Sequence, residues 1–179
     1  MRIISGTHKG RRISIPKNFK SRPTTDFAKE NLFNVLANYI DFDATTVLDL
    51  FAGTGSIGFE FASRGAKEIT AVEKDYRHMQ FIKKNAEALK LANFNVVKSN
   101  AFVFIKRINK KYDIIFADPP FEMLEIGKIP ALVWESDVLN NEGHFILEHS
   151  ANYSFSKSVG FVELRKYGGV NFSIFQKRE

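Results

Sequence analysis

Residues 47–58, V-L-D-L-F-A-G-T-G-S-I-G, restrict the possible folds of this chain more than any other stretch. A short apolar run around Asp49 reads as a buried strand over 47–50; the chain then breaks into a glycine turn, and a helix opens near Ser56. Gly53, Gly55 and Gly58 satisfy G-x-G-x-x-G, the fingerprint of a βαβ cofactor site. Glu73 closes the next expected strand, where a ribose-binding carboxylate belongs. Asp49 narrows the choice of cofactor. A dinucleotide would set its pyrophosphate on this helix N-terminus, against a carboxylate in the same turn. A ligand with a cationic amine and no phosphate suits the turn better, and S-adenosylmethionine is such a ligand. A tight strand-to-helix turn with no ligand is the plain alternative; the spaced acid weighs against it.

The rest of the chain supplies the frame such a turn needs. Helical patterns over 56–64, 75–90 and 101–108 alternate with short apolar runs over 68–73, 94–98 and 112–117, which argues for a parallel sheet with right-handed crossovers. From Gly143 the rhythm changes to strands over 143–149, 161–167 and 170–177, the last two separated only by Gly168-Gly169. That is a hairpin, so the seven-stranded, mostly parallel α/β sheet is expected to end in an antiparallel edge with helices on both faces. Ahead of it, β-branched runs over 2–5 and 11–15 flank G-T-H-K-G and read as a small N-terminal hairpin. A helix is expected from Thr25 or Asp26, with Leu32, Val35, Leu36, Tyr39 and Ile40 on one apolar face. The division that follows is a basic hairpin and linker over 1–23 and a Rossmann-like domain over 24–179.

Charge sets the first 25 residues apart. They hold Arg2, Lys9, Arg11, Arg12, Lys17, Lys20 and Arg22 and no acid, so the whole net charge of +6 resides there. Such a footprint points to phosphate contact. Absence of cysteine excludes disulfides and thiolate metal sites, and His8, His78, His144 and His149 have no ligand spacing, so no metal is expected. No apolar run reaches the length of a membrane span and no secretory signal is present, so a cytoplasmic protein is expected.

A second chemical signal is Asp118-Pro119-Pro120-Phe121, directly after the fourth expected strand. In open α/β sheets, sites lie beyond the carboxyl ends of the strands at the switch in strand order, which places Asp118 beside Asp49. Two prolines withdraw two backbone donors, leaving the Asp118 and Pro119 carbonyls to accept, and Phe121 offers a face for stacking a base. Glu148 and His149 end the fifth strand near the same crevice; Trp134 reads as core.

The glycine stretch, Val72-Glu73-Lys74 and D-P-P-F together resemble the class I S-adenosylmethionine-dependent methyltransferases that act on exocyclic amines. More narrowly, R-I-I-S-G, Gly10-Arg11-Arg12, the segment R-P-T-T-D-F-A-K-E-N-L-F-N-V-L over 22–36, I-L-E-H-S and the terminal Y-G-G-V-N-F-S-I-F resemble the RsmD-type methyltransferases, over nearly the whole chain. That resemblance implies a Rossmann-like class I methyltransferase fold and methylation of the N2 amine of a guanine in small-subunit (16S) ribosomal RNA. It implies that Asp49, Phe51, Gly53 and Gly55 contact the methionine part, Glu73 and Lys74 the ribose, and Asn100 and Ala101 the adenine. Asp118, Pro119, Pro120 and Phe121 would hold the target base, with Arg2, Arg11, Arg12, Arg22, Pro23 and Thr24 toward the RNA. Two positions depart from the family pattern: Asn100 stands where relatives usually have Asp, and Phe27 where they tend to have a basic residue. A monomer working on ribosomal RNA or the small ribosomal subunit is expected. The alternatives are a methyltransferase for another amine (adenine N6 or a protein glutamine) and an RNA-binding protein with a vestigial cofactor fold.

Overall fold

A computed structural model describes residues 1–19 and 24–178. Seven strands form one sheet: β1 (Thr46–Asp49), β2 (Glu68–Glu73), β3 (Phe94–Lys98), β4 (Tyr112–Ala117), β5 (Leu139–His149), β6 (Phe161–Tyr167) and β7 (Val170–Gln176). Their order is β3-β2-β1-β4-β5-β7-β6. The first five run parallel, and β7 pairs antiparallel with both β5 and β6. The order reverses between β1 and β4, so their carboxyl ends open the crevice that this topology uses for ligands.

Strand alternation divides the core in two. Val47, Ile114, Phe116, Ile146 and Phe172 face one side, where they pack with α1 (Asp26–Leu36), α2 (Ser56–Ser63) and α3 (Tyr76–Ala88). Leu48, Ile115, Ala117, Leu147 and Phe175 face the other, against α4 (Ala101–Arg107) and α5 (Ile129–Glu135). The helices begin where the sequence supplies caps. Thr25 accepts from the Ala28 N–H for α1, Asp75 from Arg77 and His78 for α3, and Asn100 from Phe102 and Val103 for α4.

Two boundaries differ from expectation. Helix α1 stops at Leu36 instead of running to Ile40; the Asn38 side chain donates to the Asn34 carbonyl, a local bond that competes with helix continuation. Tyr39 instead stacks on His144 and donates to Glu163. Strand β5 starts four residues early, at Leu139, because a register shift carries it through Asn-Asn-Glu-Gly, with Glu142 at φ 60° and Asn140 donating to Asp113 at 2.7 Å. That tetrapeptide has turn composition; the bulge is what lets it lie in the sheet.

The N-terminal hairpin closes through one antiparallel bridge between Arg2 and Arg12 and is not free of the domain. Ile3 and Ile13 lie in the same core cluster as α1 and α2. Ile4 and Ser5 spend their N–H groups on Glu60 of α2 (2.8 and 3.1 Å), so they extend no ladder. Glu60 has no exposed surface; it also accepts from Arg64 and sits 3.6 Å from Lys29 of α1, which donates to the Arg2 carbonyl at 2.6 Å and to Ser56. Lys29 is likewise buried. Burial pushes its ammonium below the usual lysine range while Glu60 pulls it back up. One buried cation thus fastens hairpin, α1 and α2 together. Breaking such a pair leaves an uncompensated charge, so Lys29→Met is expected to cost about 3 kcal/mol. For a chain of this size that corresponds to roughly 6–12 °C in a thermal melt. A melt within 1 °C of wild type would contradict it.

Candidate active site

The glycine turn is held open by carboxylates rather than filled by side chains. Leu50 donates to the Phe116 carbonyl and Ala52 to the Val72 carbonyl, so the loop leaves β1 tied to both neighbours. Gly55 takes φ 77° as the residue before α2, a conformation that disfavours any side chain. A Cβ on Gly58 would meet the Phe94 ring at 2.8 Å, so this glycine permits α2 to lie close on the sheet. Glu73, at the tip of β2, accepts from the N–H of Gly53 and of Asp75, both at 2.8 Å, stitching the loop to the start of α3.

Asp49 ends β1 with 1% of its surface exposed, and its Oδ1 has no hydrogen-bond partner. Burial pushes its carboxyl up to about 7; the N–H groups of Phe51 and Gly58 oppose the rise and the Glu73 charge adds to it. Asp49 pairs with Phe116 in the β1–β4 ladder, so Asp118 lies one pleat further along the same face. Burial and the charges of Glu148 and Asp49 raise the Asp118 carboxyl well above the usual range. Glu148, near the tip of β5, is buried and accepts from the Thr24 hydroxyl at 3.1 Å. Its carboxyl also rises to about 7 through burial, which the Thr24 bond opposes. Three carboxylates from three adjacent parallel strands therefore meet in one crevice.

Around them, Pro119 is buried, Pro120 is exposed, and Phe121 stands 55% exposed at the mouth. On the opposite face of the sheet Phe51, Ala101 and Phe102 line a narrow apolar slot with Leu50, Ile129 and Leu132. Asn100 is committed through its Oδ1 to capping α4, which leaves its Nδ2 as the uncommitted polar group. Lys74 is exposed beside Glu73. Of the residues assigned to RNA, Thr24 reaches the crevice, whereas Arg2 pairs with Asp26 at 3.1 Å. Arg12 lines a separate open groove of about 590 Å³ with Met1 and Ser14, and Arg11 is exposed nearby. Arg22 and Pro23 lie outside the described residues. His149 belongs to structure: its Nε2 contacts Ser173 at 2.8 Å and its ring packs on Phe155.

Sequence reasoning missed Lys29 and Glu60. Their signal was available, since Lys29 stands in register with Leu32, Phe33 and Leu36 on the apolar face, and Glu60 interrupts a wholly buried helix. Among the described residues, no group of His, Asp or Glu is arranged to hold a metal ion.

An uncompensated carboxylate is a stability cost. The folded Asp49 binds its proton more tightly than the unfolded chain does, so stability falls as pH rises from about 4 to about 7. Asp49→Asn should therefore raise stability at pH 8 by about 2–4 kcal/mol and leave it near wild type at pH 4. Melts at the two pH values test this; an equal change at both would assign the effect to packing.

The chain is similar to known proteins over most of its length. The family model described as "Conserved hypothetical protein 95" (Cons_hypoth95) matches residues 1–176. Ribosomal RNA small subunit methyltransferase D of Escherichia coli K12 is 44% identical over 178 residues, covering 93% of this chain and 89% of that one. The solved structure of Escherichia coli yhhF superposes with a TM-score of 0.87 at 32% identity, covering 99% of this chain and 98% of that one. The Thermus thermophilus 16S rRNA N2 G1207 methyltransferase RsmC, in complex with AdoMet and guanosine, shares the fold with a TM-score of 0.71 at 24% identity, covering 89% of this chain and 45% of that one.

Proposed function

The chain belongs to the Cons_hypoth95 family, and from that premise we propose that it is an S-adenosylmethionine-dependent methyltransferase acting on the N2 amine of a guanine in small-subunit (16S) ribosomal RNA. The observation that carries the reading is the buried Asp49, whose Oδ1 has no hydrogen-bond partner and no cation beside it, next to Asp118. A carboxylate kept without a cation of its own suits a ligand that brings one. S-adenosylmethionine supplies, when bound, a methyl group already activated on a sulfonium, together with a cationic ammonium.

In this reading Asp49 receives the charged methionine end, with Phe51, Gly53 and Gly55 giving close backbone approach. The lone pairs of Glu73 not taken by Gly53 and Asp75 accept from the ribose hydroxyls, beside Lys74. Asn100 and Ala101, where α4 begins, take the adenine, and the Asn100 Nδ2 donates to one of its ring nitrogens. Phe121 stacks the target base once it has been turned out of the RNA. The Asp118 carboxylate and the Pro119 carbonyl accept the two N–H bonds of the amine. Held so, the nitrogen pyramidalises and its lone pair, otherwise delocalised into the ring, points at the methyl. Pro119 and Pro120 keep that turn stiff. As an N–CH3 bond formed and the donor's S–CH3 bond broke to leave a neutral thioether, the nitrogen would shed one proton, and the raised affinity of Asp118 for protons equips it to take it. Positioning of this kind can supply about 7–11 kcal/mol of rate acceleration. The enzyme works as a monomer in the cytoplasm, where the ribosomal RNA is.

Lys9, Arg11, Arg12 and Lys17 are exposed on and just after the hairpin and serve phosphate contact. Because Ile3 and Ile13 are core, charge removal tests this better than truncation.

Asp118→Ala should leave S-adenosylmethionine affinity within about threefold of wild type, while methyl transfer to ribosomal RNA falls by two orders of magnitude or more. Labelled-methyl transfer followed by nucleoside analysis reads both rate and product; undiminished transfer would remove Asp118 from the chemistry. Replacing Lys9, Arg11 and Arg12 with Gln should reduce the log–log salt slope of RNA binding by about 2 without affecting cofactor affinity. An unchanged slope would move the RNA surface elsewhere.

A further inference from the structure

Of the three carboxylates in the crevice, Glu148 is the one that methyl transfer leaves without a task. It is nevertheless buried, at a cost in desolvation, and supplied with a hydroxyl from a distant part of the chain through Thr24. Its place in the ladder is specific. Ala117 pairs with Leu147, so Asp118 and Glu148 form the next rung between β4 and β5 on one face. Adjacent strands lie about 4.8 Å apart. Asp49 lies across β4's other edge, on β1. The order across the crevice is therefore Asp49, Asp118, Glu148, and the Asp118 carboxyl is raised by both neighbours, as a central member should be.

The Watson–Crick edge of a purine fits this order in only one way. If Asp118 holds a 2-amino group with its nitrogen toward the Asp49 side, the next polar atom along that edge, on the Glu148 side, is ring N1. In guanine N1 carries a hydrogen and donates. In 2-aminopurine, which has the same 2-amino group, N1 is a bare acceptor. A carboxylate welcomes the first and repels the second.

We propose that Glu148 is a specificity-determining residue, its carboxylate accepting the N1–H of the guanine whose amine Asp118 holds, with Thr24 orienting it. The inference rests on the guanine-N2 reading above. Thr24 donates to Oε2, which favours the ionised carboxylate and turns the group toward the base. Thr24, which immediately precedes the capping residue of α1, reaches the base pocket through this bond.

The test compares guanine with 2-aminopurine. The methylated guanine is first mapped with wild-type enzyme and S-adenosylmethionine; 16S RNA carrying either base at that position is then prepared by ligation and assembled into subunits. At pH 8.5, above the value of about 7 to which burial raises Glu148, its carboxylate is ionised and wild type should favour guanine in kcat/KM on the order of 10- to 100-fold, the range expected for a hydrogen bond to a charged group. Glu148→Gln should narrow the preference to about threefold or less, since its amide donates to a bare N1 as readily as its carbonyl accepts from N1–H, with cofactor affinity unchanged. Thr24→Val, a smaller perturbation, should narrow it by about three- to tenfold and serves if Glu148→Gln does not fold. Equal use of both bases by wild type would overturn the proposal. So would a variant that slows both bases by the same factor, since that is the mark of a structural residue. If wild type yields no N2-methylguanosine from the guanine substrate, the guanine-N2 reading itself has failed and this inference falls with it.

Discussion

The structure is organised around the burial of negative charge at the carboxyl ends of adjacent parallel strands. Asp49 and Glu148 stand buried on β1 and β5, Asp118 follows β4 between them, and Asp49 keeps one oxygen without a partner. Such a cluster opposes folding, because every carboxylate there must either take up a proton or stay charged in a poor solvent. The rest of the molecule offsets it. Two apolar layers cover the sheet, and the backbone amides of the glycine turn are directed at Glu73 rather than at Asp49 Oδ1. A fold that keeps an unsatisfied anion at its strand tips is prepared for a ligand that brings positive charge and hydrogen-bond donors.

The N-terminal hairpin is packed on the helix that begins at that crevice. The Lys29–Glu60 pair fixes the hairpin against α1 and α2, and the same α1 begins beside Thr24, which touches Glu148. A single buried ion pair thereby connects the exposed basic residues of the hairpin to the base pocket through one rigid helix. In the proposed reading, phosphate contact at Arg11 or Arg12 and base contact at Glu148 belong to one packed unit.

Much of this was legible in the sequence, for definite reasons. Strand and helix periods located β2, β3, β4, β6 and the bodies of α1 to α4, because apolar alternation and caps such as Thr25, Asp75 and Asn100 are local signals. The neighbourhood of Asp49 and Asp118 followed from topology, since the switch point joins β1 to β4. Non-local arrangements were not legible. The bulge at Asn140 and Glu142 depends on Asp113, 27 residues before Asn140, and the early end of α1 on a side-chain bond from Asn38. Nothing local announces that Thr24 meets Glu148, or that Glu60 takes the N–H groups of Ile4 and Ser5.

The central claim is that Asp49 is a proton-binding anion awaiting a cation, and proton release on ligand binding tests it most directly. Calorimetric titration of the protein with S-adenosylmethionine at pH 6, repeated in buffers of different ionisation enthalpy, counts the protons exchanged. With the free carboxyl titrating at about 7 and the bound one held ionised, binding should release about one proton at pH 6 and almost none at pH 8.5. Binding with no proton exchange at either pH, or no binding at all, would contradict the account.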